Sequence, residues 1–296
     1  MKEKLILVLN SIYCVWGRIS PKTLAKHIFR KSLGRKLDFK NPVDLNEKIN
    51  YLKFYSDTSS WSRLADKYQV RTYIEEMGLK DLLVPLIGVY TTPRQIDFES
   101  LPNEFIIKPT HGSGDVVIVN DKSKIDINKL RKDLKKALKS RLGLLRAEPH
   151  YLKIKPKLVI EQLLKEDSQS VESCSLVDYK IWCFDGNPYS IEIYYNRTKH
   201  DVKCLAYDIN WNNITDSYFD FKGKFTRGES FDKPLTLETM LHSAKILSQG
   251  FPEVRVDFYL VGGRVYFGEM TFTSSGGYDN TIIQSRLNKM GELINI

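Results

Sequence analysis

The chain has 296 residues, enough for one large domain or two modest ones. Its hydrophobic fraction of 42% and charged fraction of 27% are ordinary for a globular protein, and they exclude a collagenous, disordered or disulfide-dense class. The net charge of +9 favours anionic partners such as nucleotides, acidic glycans, phospholipid headgroups or nucleic acid, without choosing among them.

The N-terminal run MKEKLILVLNSIYCVW is similar to a signal peptide only briefly, because Asn10 and Ser11 interrupt it and no small-residue cleavage site follows. It is also too short to cross a bilayer. The four cysteines and five histidines lack metal-binding spacing, so we expect a reduced, cytoplasmic protein. The run could form an ordinary packing helix, or a basic amphipathic helix on the inner face of the cytoplasmic membrane.

Residues 1–60 are rich in basic residues, and they predict a helical N-terminal arm. Within the arm, Asp44 or Asn46 can cap a short helix. A further helix is predicted over residues 62–77, because its apolar residues are in phase and Gly78 follows as a stop.

Two apolar runs, LLVPLIGVY and FIIKPTHGSGDVVIV, then predict strands. Residues 127–145 place leucines on one face of a helix and lysines and arginines on the other. The basic face could simply be the solvated side of a helix packed on a small sheet, or it could contact a polyanion directly.

Three later runs also have the composition of strands. They are KLVIEQLL, DYKIWCFDGNPYSIEIYY and VRVDFYLVGGRVYFGEMTF. Between the last two we predict a helix from Leu237 to Ser248, with Thr236 as its cap and Gly250 as its stop.

The run FIIKPTHGSGDVVIV holds the first candidate site. A Walker A loop or a dinucleotide fingerprint would need a helix after the glycines, whereas a strand follows here. An anion would therefore have to be bound by backbone N–H groups of the loop itself, and Gly112 and Gly114 allow that close approach.

Three side chains could add to such a site. Lys108 would place a positive charge beside a phosphate, and Ser113 would add a hydroxyl. His111 could contact the phosphate, or it could pack against the loop as a neutral side chain. A plain loop between two strands is the alternative for the whole segment.

The hairpin RVDFYLVGGRVYFGEMTF holds the second candidate site, and the length of its glycine turn sets the register. A two-residue turn would set Asp257 opposite Gly268 and leave Glu269 on the other face. A three-residue turn would set Asp257 directly opposite Glu269 on one face.

In the three-residue register, Arg255 also lies opposite Thr271. The core face would then hold Val256, Phe258, Leu260, Tyr266 and Met270. Two carboxylates this close repel unless a cation lies between them, and Mg²⁺ prefers carboxylate and phosphate oxygens. Two solvent-facing acids on a hairpin are the alternative.

The order of these elements resembles the ATP-grasp superfamily: a strand, a Lys-Pro and glycine loop, an acidic hinge, a lysine strand and an acidic hairpin. More closely, the chain resembles the TupA-like ATP-grasp family of bacterial surface-polysaccharide gene clusters over about residues 35–296. The segments that carry this resemblance are NPVDLNEKINYLKFY, LADKYQVRTYIEE, LPNEFIIKPTHGSG, DYKIWCFDG and FPEVRVDFYLVGGRVYFGEMTF.

The resemblance implies an α+β ATP-grasp fold, in which two α+β subdomains clamp ATP, with a short basic helical arm over residues 1–60. The ATP-grasp domain would span residues 61–296. Within it, residues 104–164 would form a small lid subdomain with the glycine-rich loop, and residues 165–296 a metal-binding C-terminal subdomain.

The resemblance also implies a nucleotide site. Lys67 and Lys108 match the two lysines around the phosphates, and Gly112, Ser113 and Gly114 match the flap over them. The hinge beside the adenine matches Glu161, Gln162 and Leu163.

For the metal and the terminal phosphate, the resemblance implies a second group of residues. Lys180 and Arg255 match basic residues that face the terminal phosphate, and Asp257 and Glu269 match ligands of Mg²⁺ or Mn²⁺. The usual third ligand is an asparagine, and Thr271 stands in its place, which puts a second metal ion in question.

The activity implied by the resemblance is an ATP- and magnesium-dependent ligation of a carboxylate to an amine. It would attach an amino acid to a sugar or acidic glycan in capsule, O-antigen or other surface-polysaccharide synthesis, and we expect no nucleic-acid partner. A glycosyltransferase is an alternative, although the chain has no Asp-x-Asp pair. A non-catalytic nucleotide- or glycan-binding protein is another, and Thr271 favours it.

Overall fold

The computed structural model describes residues 2–112, 114–165 and 173–296, with side chains from Val8 onward. The chain forms two compact units, each assembled from three segments. Unit 1 consists of Met1–Ile28, Asp57–Tyr73 and Val84–Leu163, and unit 2 consists of Phe29–Ser56, Ile74–Leu83 and Leu164–Ile296. Residues of the predicted N-terminal arm contribute to both units, and the predicted domain bounds remain a prediction.

The helices are α1 (Lys2–Ile19), α2 (Pro21–Leu33), α3 (Leu45–Tyr55), α4 (Trp61–Ala65), α5 (Val70–Glu76), α6 (Ile127–Ala137), α7 (Leu142–Leu145), α8 (Leu237–Leu247) and α9 (Gln284–Glu292). The strands are β1 (Leu86–Tyr90), β2 (Phe105–Pro109), β3 (Val117–Val119), β4 (Leu158–Glu161), β5 (Asp178–Phe184), β6 (Asn187–Tyr195), β7 (Val202–Asp208), β8 (Phe225–Arg227), β9 (Glu253–Val261) and β10 (Arg264–Thr271). In the described part of the chain, no helix has the length and apolar character needed to cross a bilayer.

Unit 1 contains a four-stranded sheet, sheet A, in the order β1-β4-β2-β3 with antiparallel pairs. Side chains of β2 alternate, so Phe105 and Ile107 are buried while Lys108 lies on the other face. Leu130 and Leu134 of α6 belong to the same core cluster as these two residues. The basic helix therefore packs on a small sheet, although it ends at Ala137 instead of continuing to residue 145.

Unit 2 contains a six-stranded sheet, sheet B, in the order β10-β9-β5-β6-β7-β8. Its pairs are antiparallel except β7 with β8, which are parallel. Helix α8 packs against β5, β6 and β9. Strands β7 and β8 were not predicted, because their segment lacks the long apolar alternation of the neighbouring strands.

The β9–β10 hairpin turns through two residues, Gly262 and Gly263, so the three-residue turn is wrong. Their φ values of 55° and 73° are those of a type I′ turn, which suits the twist of a hairpin. Asp257 nevertheless lies directly opposite Glu269, because a bulge takes up Gly268 and shifts the register by one residue.

The bulge also changes which residues of β10 face the core. Phe267 pairs with Phe258, and both are buried, whereas Tyr266 pairs with Tyr259 and is half-buried. The predicted core position of Tyr266 is therefore wrong. The three-residue turn would have shifted the register at the start of β10 and moved Tyr266 inward. The register actually shifts after Phe267, so Tyr266 stays on the other face.

The predicted helix over residues 62–77 is two helices, α4 and α5, because Asp66 interrupts it. The Asp66 carboxylate accepts hydrogen bonds from the backbone N–H groups of Tyr68 at 2.8 Å and Gln69 at 3.1 Å. Such local bonds compete with the helical ones and end the helix. The break leaves the Lys67 N–H to donate to the Thr110 carbonyl at 3.3 Å.

The predicted helix caps have different outcomes. Asp44 caps α3 as predicted, in a capping box with Glu47. Helix α8 begins after Thr236 as predicted, but the Thr236 side chain forms no capping bond. Gly250 has the positive φ of 80° expected of a residue just beyond a helix.

Candidate functional site

Glu161 joins two basic side chains on one face of sheet A. Its carboxylate accepts from Lys108 Nζ at 2.8 Å and from Arg71 Nη1 at 3.0 Å. Arg71 is held further by a 2.9 Å bond to the Val84 carbonyl. Two cations share one carboxylate, so this cluster keeps a net positive charge and fixes the position of Lys108.

Lys67 is bound to the glycine-rich loop. Its Nζ donates to the Gly112 carbonyl at 2.8 Å, although the two residues are 45 positions apart. Gly112 and Gly114 have φ values of 81° and 95°, conformations that glycine adopts most readily. Ser113, a predicted phosphate-binding residue, lies outside the described residues.

His111 is buried beside this loop, with 8% of its surface exposed. Burial lowers the pKa of His111, the Ser140 backbone opposes that shift, and Lys67 reinforces it. A lowered pKa makes the imidazole neutral near pH 7, so the positive charge of this region comes from Lys67, Arg71 and Lys108.

Two of the predicted hinge residues, Gln162 and Leu163, line a cavity of about 530 Å³ at the ends of β1, β2 and β4. The other lining residues are Pro85, Ile87, Pro102, Asn103 and Glu104. Gln162 is anchored by its N–H, which donates to the Pro85 carbonyl at 3.0 Å. A volume of this size is typical of small-molecule sites.

Asp257 is the centre of the charged group on sheet B and is 1% exposed. Arg255 donates to both of its oxygens, Nε at 2.7 Å and Nη2 at 2.8 Å, and Lys180 Nζ donates to Oδ2. Burial alone would raise the pKa of Asp257, but Arg255 and Lys180 outweigh it and lower the pKa. Asp257 is therefore ionised at neutral pH.

Glu269 lies opposite Asp257 and is more open, with 38% of its side chain exposed. Its Oε1 is 3.6 Å from Arg255 Nη2 and accepts from the Thr271 hydroxyl at 3.4 Å. Arg255 also reaches Ser274 Oγ at 3.2 Å. Glu269 and Thr271 thus place side-chain oxygen atoms beside Asp257.

The donor types in this group fit a hard divalent ion. Asp257, Glu269 and Thr271 supply two carboxylates and a hydroxyl on one face, and Mg²⁺ or Mn²⁺ prefers oxygen ligands. Across the described residues there is no group of three or more His, Cys, Asp or Glu side chains that could hold a metal. An ion here would therefore need further oxygens from phosphate or water.

The predicted basic residues of this group, Lys180 and Arg255, both contact Asp257 directly. Lys180 lies opposite Asp257 in the β5–β9 ladder, and Arg255 is two residues before it on β9. Their role toward a phosphate remains a prediction. Both side chains lie beside the paired acids Asp257 and Glu269.

Sequence reasoning missed Asp178 and Glu192 on the same face of sheet B. Asp178 Oδ2 is 2.6 Å from Arg197 and 3.9 Å from Lys180. Glu192 lies opposite Lys180 in the β5–β6 ladder, and burial raises its pKa. The alternation of DYKIWCF and SIEIYY could have placed both residues on this face.

Arg71 was also missed, and no local pattern indicates it. It is 90 residues from Glu161 in sequence, and only the tertiary fold of unit 1 brings the two together. The place of Glu161 in a hinge beside the adenine stays a prediction, and its carboxylate contacts Lys108 and Arg71.

The predicted site residues thus form two groups. Unit 1 holds Lys67, Lys108, His111, Gly112, Gly114, Glu161, Gln162 and Leu163. Unit 2 holds Lys180, Arg255, Asp257, Glu269 and Thr271.

Solved structures similar to this chain include two D-alanine–D-alanine ligases. The one from Bacillus anthracis has 17% identity and a TM-score of 0.43, covering 78% of this chain and 64% of its own. The one from Helicobacter pylori has 16% identity and a TM-score of 0.42, covering 84% and 69%. The chain thus spans less than two thirds of the Bacillus anthracis ligase.

A structure of the ATP-grasp ligase PsnB with a minimal precursor is similar at 11% identity and a TM-score of 0.40, covering 80% of this chain and 62% of that one. No curated protein matches the chain significantly. The family model described as TupA-like ATPgrasp matches residues 47–295, a range that contains every predicted site residue. The chain belongs to the TupA-like ATP-grasp family.

Proposed function

We propose that this protein is an ATP-grasp ligase that uses ATP and Mg²⁺ to join a carboxylate to an amine. The observation that carries the proposal is the pairing of Asp257 with Glu269 beside Lys180 and Arg255 on one face of sheet B. In a chain of the TupA-like ATP-grasp family, such a group is suited to a divalent ion and a transferring phosphoryl group.

Unit 1 would bind the nucleotide. Lys67 and Lys108 would contact its phosphates, and Gly112 and Gly114 would let the loop backbone approach them closely. The Glu161 contact would hold Lys108 in position before ATP arrives, which lowers the entropy lost on binding.

The adenine would occupy the cavity lined by Gln162 and Leu163, where backbone groups can hydrogen-bond a base. His111 would remain neutral and pack against the loop, because its pKa is lowered. Residues 104–164 would serve as the lid subdomain of the predicted domain division, and residues 165–296 as its metal-binding subdomain.

Unit 2 would supply the residues that contact the terminal phosphate and its ion. Asp257, Glu269 and Thr271 would hold the ion, which when bound neutralises phosphate charge. Lys180 and Arg255 would stabilise the negative charge that develops on the transferred group, because fixed cations in a site of low water content act strongly on it.

The reaction would proceed in two displacements. A substrate carboxylate attacks the γ-phosphorus, the bond to the bridging oxygen of ADP breaks, and an acyl phosphate forms. An amine then attacks the acyl carbon, the C–N bond forms, phosphate leaves with the C–O bond electrons, and the amine proton passes to water. The chain's contribution is to position the reactants and neutralise charge.

The substrates we propose are an amino acid and a sugar or acidic glycan, for capsule, O-antigen or related surface-polysaccharide synthesis. The net charge of +9 suits an acidic acceptor. ATP and these precursors would meet in the cytoplasm, at the inner face of the cytoplasmic membrane.

A nucleotide and divalent-ion thermal shift screen tests the first part of the proposal. We expect ATP with Mg²⁺ to raise the melting temperature more than either alone, and Glu269→Gln to remove the additional effect of Mg²⁺. Mass spectrometry of amino acid and glycan mixtures should then show a condensed product together with released phosphate. Sugar transfer from a nucleotide sugar without ATP would contradict the ligase proposal.

A further inference from the structure

Helix α1 carries a continuous apolar stripe that is exposed to solvent. Val8, Ile12, Val15 and Ile19 recur at helical spacing and lie within an arc of about 60°. Their exposed fractions are 56%, 51%, 58% and 78%. Four aliphatic side chains aligned in this way differ from the single exposed apolar residues found on any protein surface.

The opposite side of α1 is packed within unit 1. Gly17 is buried, and a Cβ built on it would lie 2.2 Å from the carbonyl oxygen of Leu144 in α7. By helical geometry Gly17 lies about 180° around the helix from Val8. The close glycine contact therefore orients α1 with its apolar stripe directed away from α7.

Tyr13 and Trp16 flank one side of the stripe and connect α1 to α2. Trp16 Nε1 donates to Thr23 Oγ1 at 2.7 Å, and the Tyr13 hydroxyl is 2.9 Å from His27 Nε2. The rings of Trp16 and His27 are 5.0 Å apart. Tyrosine and tryptophan combine an apolar ring with a polar group, which suits the boundary between lipid and water.

The chain around the stripe is cationic within unit 1. Residues 4–28 contain four lysines and arginines and no acidic residue. Arg18 follows the stripe on the side away from Trp16, and Lys22 and Lys26 on α2 are also exposed. An apolar stripe with a basic margin is the pattern of helices that lie in the surface of an anionic membrane.

We propose that the exposed stripe of α1 docks onto a membrane surface rich in anionic lipid, with the helix lying in the interface. A second copy of the chain fits this surface poorly, because two such helices would bring their cationic margins together. A neutral protein partner would cover the apolar stripe without matching its cationic margin, and an acidic one would match the charge without covering the stripe. Anionic lipid does both. The proposal is independent of the ligase activity.

Co-sedimentation of the full-length protein with vesicles tests it. We expect binding to phosphatidylglycerol vesicles, weaker binding to phosphatidylcholine vesicles, and a decline as salt is added. Replacing Ile12 and Val15 together by glutamine should reduce the partition coefficient by about tenfold or more, because two buried aliphatic side chains are lost. Arg18→Gln should reduce it by about fivefold, as expected for one basic residue near the lipid surface.

Matched controls separate this surface from general stickiness. Leu235 and Ile209 are exposed aliphatic residues in unit 2, and replacing both by glutamine should leave vesicle binding unchanged. The stripe variant should keep the circular dichroism spectrum and the ATP-induced thermal shift of the wild type.

The membrane proposal fails if the wild type does not bind phosphatidylglycerol vesicles, or if the Ile12 and Val15 variant binds them as well as the wild type. A change of oligomeric state in that variant, without a change in vesicle binding, would assign the stripe to a second copy and overturn the proposal. A normal thermal shift with ATP in either case would leave the ligase proposal unaffected.

Discussion

Asp257 lies directly opposite Glu269 across the β9–β10 hairpin, and the bulge at Gly268 produces that pairing. With the two-residue turn alone, Asp257 would lie opposite Gly268. A Cβ at Gly268 would lie 3.0 Å from the Asp257 carbonyl oxygen, so glycine suits the bulge. The bulge therefore places the more exposed Glu269 beside the buried Asp257.

Removing the charge of Glu269 should separate ion binding from folding. Glu269→Gln alters a partly exposed side chain whose contact with Arg255 is long at 3.6 Å, so the free energy of unfolding should change by less than about 1 kcal/mol. The extra thermal shift produced by Mg²⁺ with ATP should be lost. A variant that keeps the full magnesium-dependent shift would exclude Glu269 as a ligand.

The same change at Asp257 should affect folding as well. Asp257→Asn leaves Arg255 and Lys180 without the buried carboxylate that pairs with them. Urea denaturation should show a free energy of unfolding lower by about 3–5 kcal/mol. If Asp257→Asn and Glu269→Gln have the same free energy of unfolding, the difference in burial between the two acids would be contradicted.

Stability should fall in acid because of Asp257. Its pKa is lowered below the ordinary value of 3.8, so its stabilising contribution is complete above that value and is lost as the pH falls through the folded-state pKa. The difference in unfolding free energy between wild type and Asp257→Asn should therefore be largest near pH 7 and shrink below about pH 4. Urea midpoints measured from neutral to acid pH check this.

Glu192 and Glu253 act in the opposite sense, which is why the difference between two proteins is the quantity to measure. Burial raises the pKa of both groups above 4.5, so their unfavourable contribution grows as the pH rises above that value. It is present in wild type and variant alike. A difference that grows toward acid pH would refute the assignment of the lowered pKa to Asp257.

Replacing Lys108 should weaken nucleotide binding without unfolding unit 1. Lys108→Met removes one cation from Glu161 but leaves the 3.0 Å contact of that carboxylate with Arg71. The dissociation constant for ATP should rise by about tenfold to a hundredfold, the usual effect of one hydrogen bond to a charged group. Calorimetric titration measures it, and Lys135→Met on the exposed face of α6 is the control.

An unchanged ATP affinity in Lys108→Met would remove Lys108 from the nucleotide site. A large loss in the Lys135→Met control would show instead that the general basic charge of α6 attracts the nucleotide.

The turn at Asp66 should matter to the nucleotide through Lys67. Asp66→Ala removes the bonds to the Tyr68 and Gln69 N–H groups, so unfolding free energy should fall by about 1–2 kcal/mol. Lys67 would lose the turn that directs it to the Gly112 carbonyl, and ATP affinity should fall with it.

Asp126→Ala is the matched control for that prediction. Asp126 caps α6 by accepting from the Lys129 N–H at 2.9 Å, so its removal should lower stability by a similar amount. ATP affinity should be unchanged in this variant. If both variants lose affinity equally, the effect of Asp66 would be on stability alone.

The α+β ATP-grasp fold predicted from sequence is confirmed, and so are several of its local features. Runs rich in apolar, β-branched and aromatic residues predicted β2, β5 and β9, because such side chains pack well on a pleated surface. Asp44 was identified as a helix cap because its short carboxylate suits the first free N–H groups of α3. The lysines, glycines and paired acids of the candidate site could likewise be identified from the sequence.

Local patterns in the sequence thus indicated most of the strands and helices and the residue types they carry, whereas tertiary packing sets which of these residues meet. Arg71 reaches Glu161 and Lys67 reaches Gly112 over long separations, and no local pattern encodes such contacts. The bulge that pairs Asp257 with Glu269 was equally hidden. A glycine without a side chain leaves no mark in the hydrophobic pattern, so only strand pairing reveals where the register shifts.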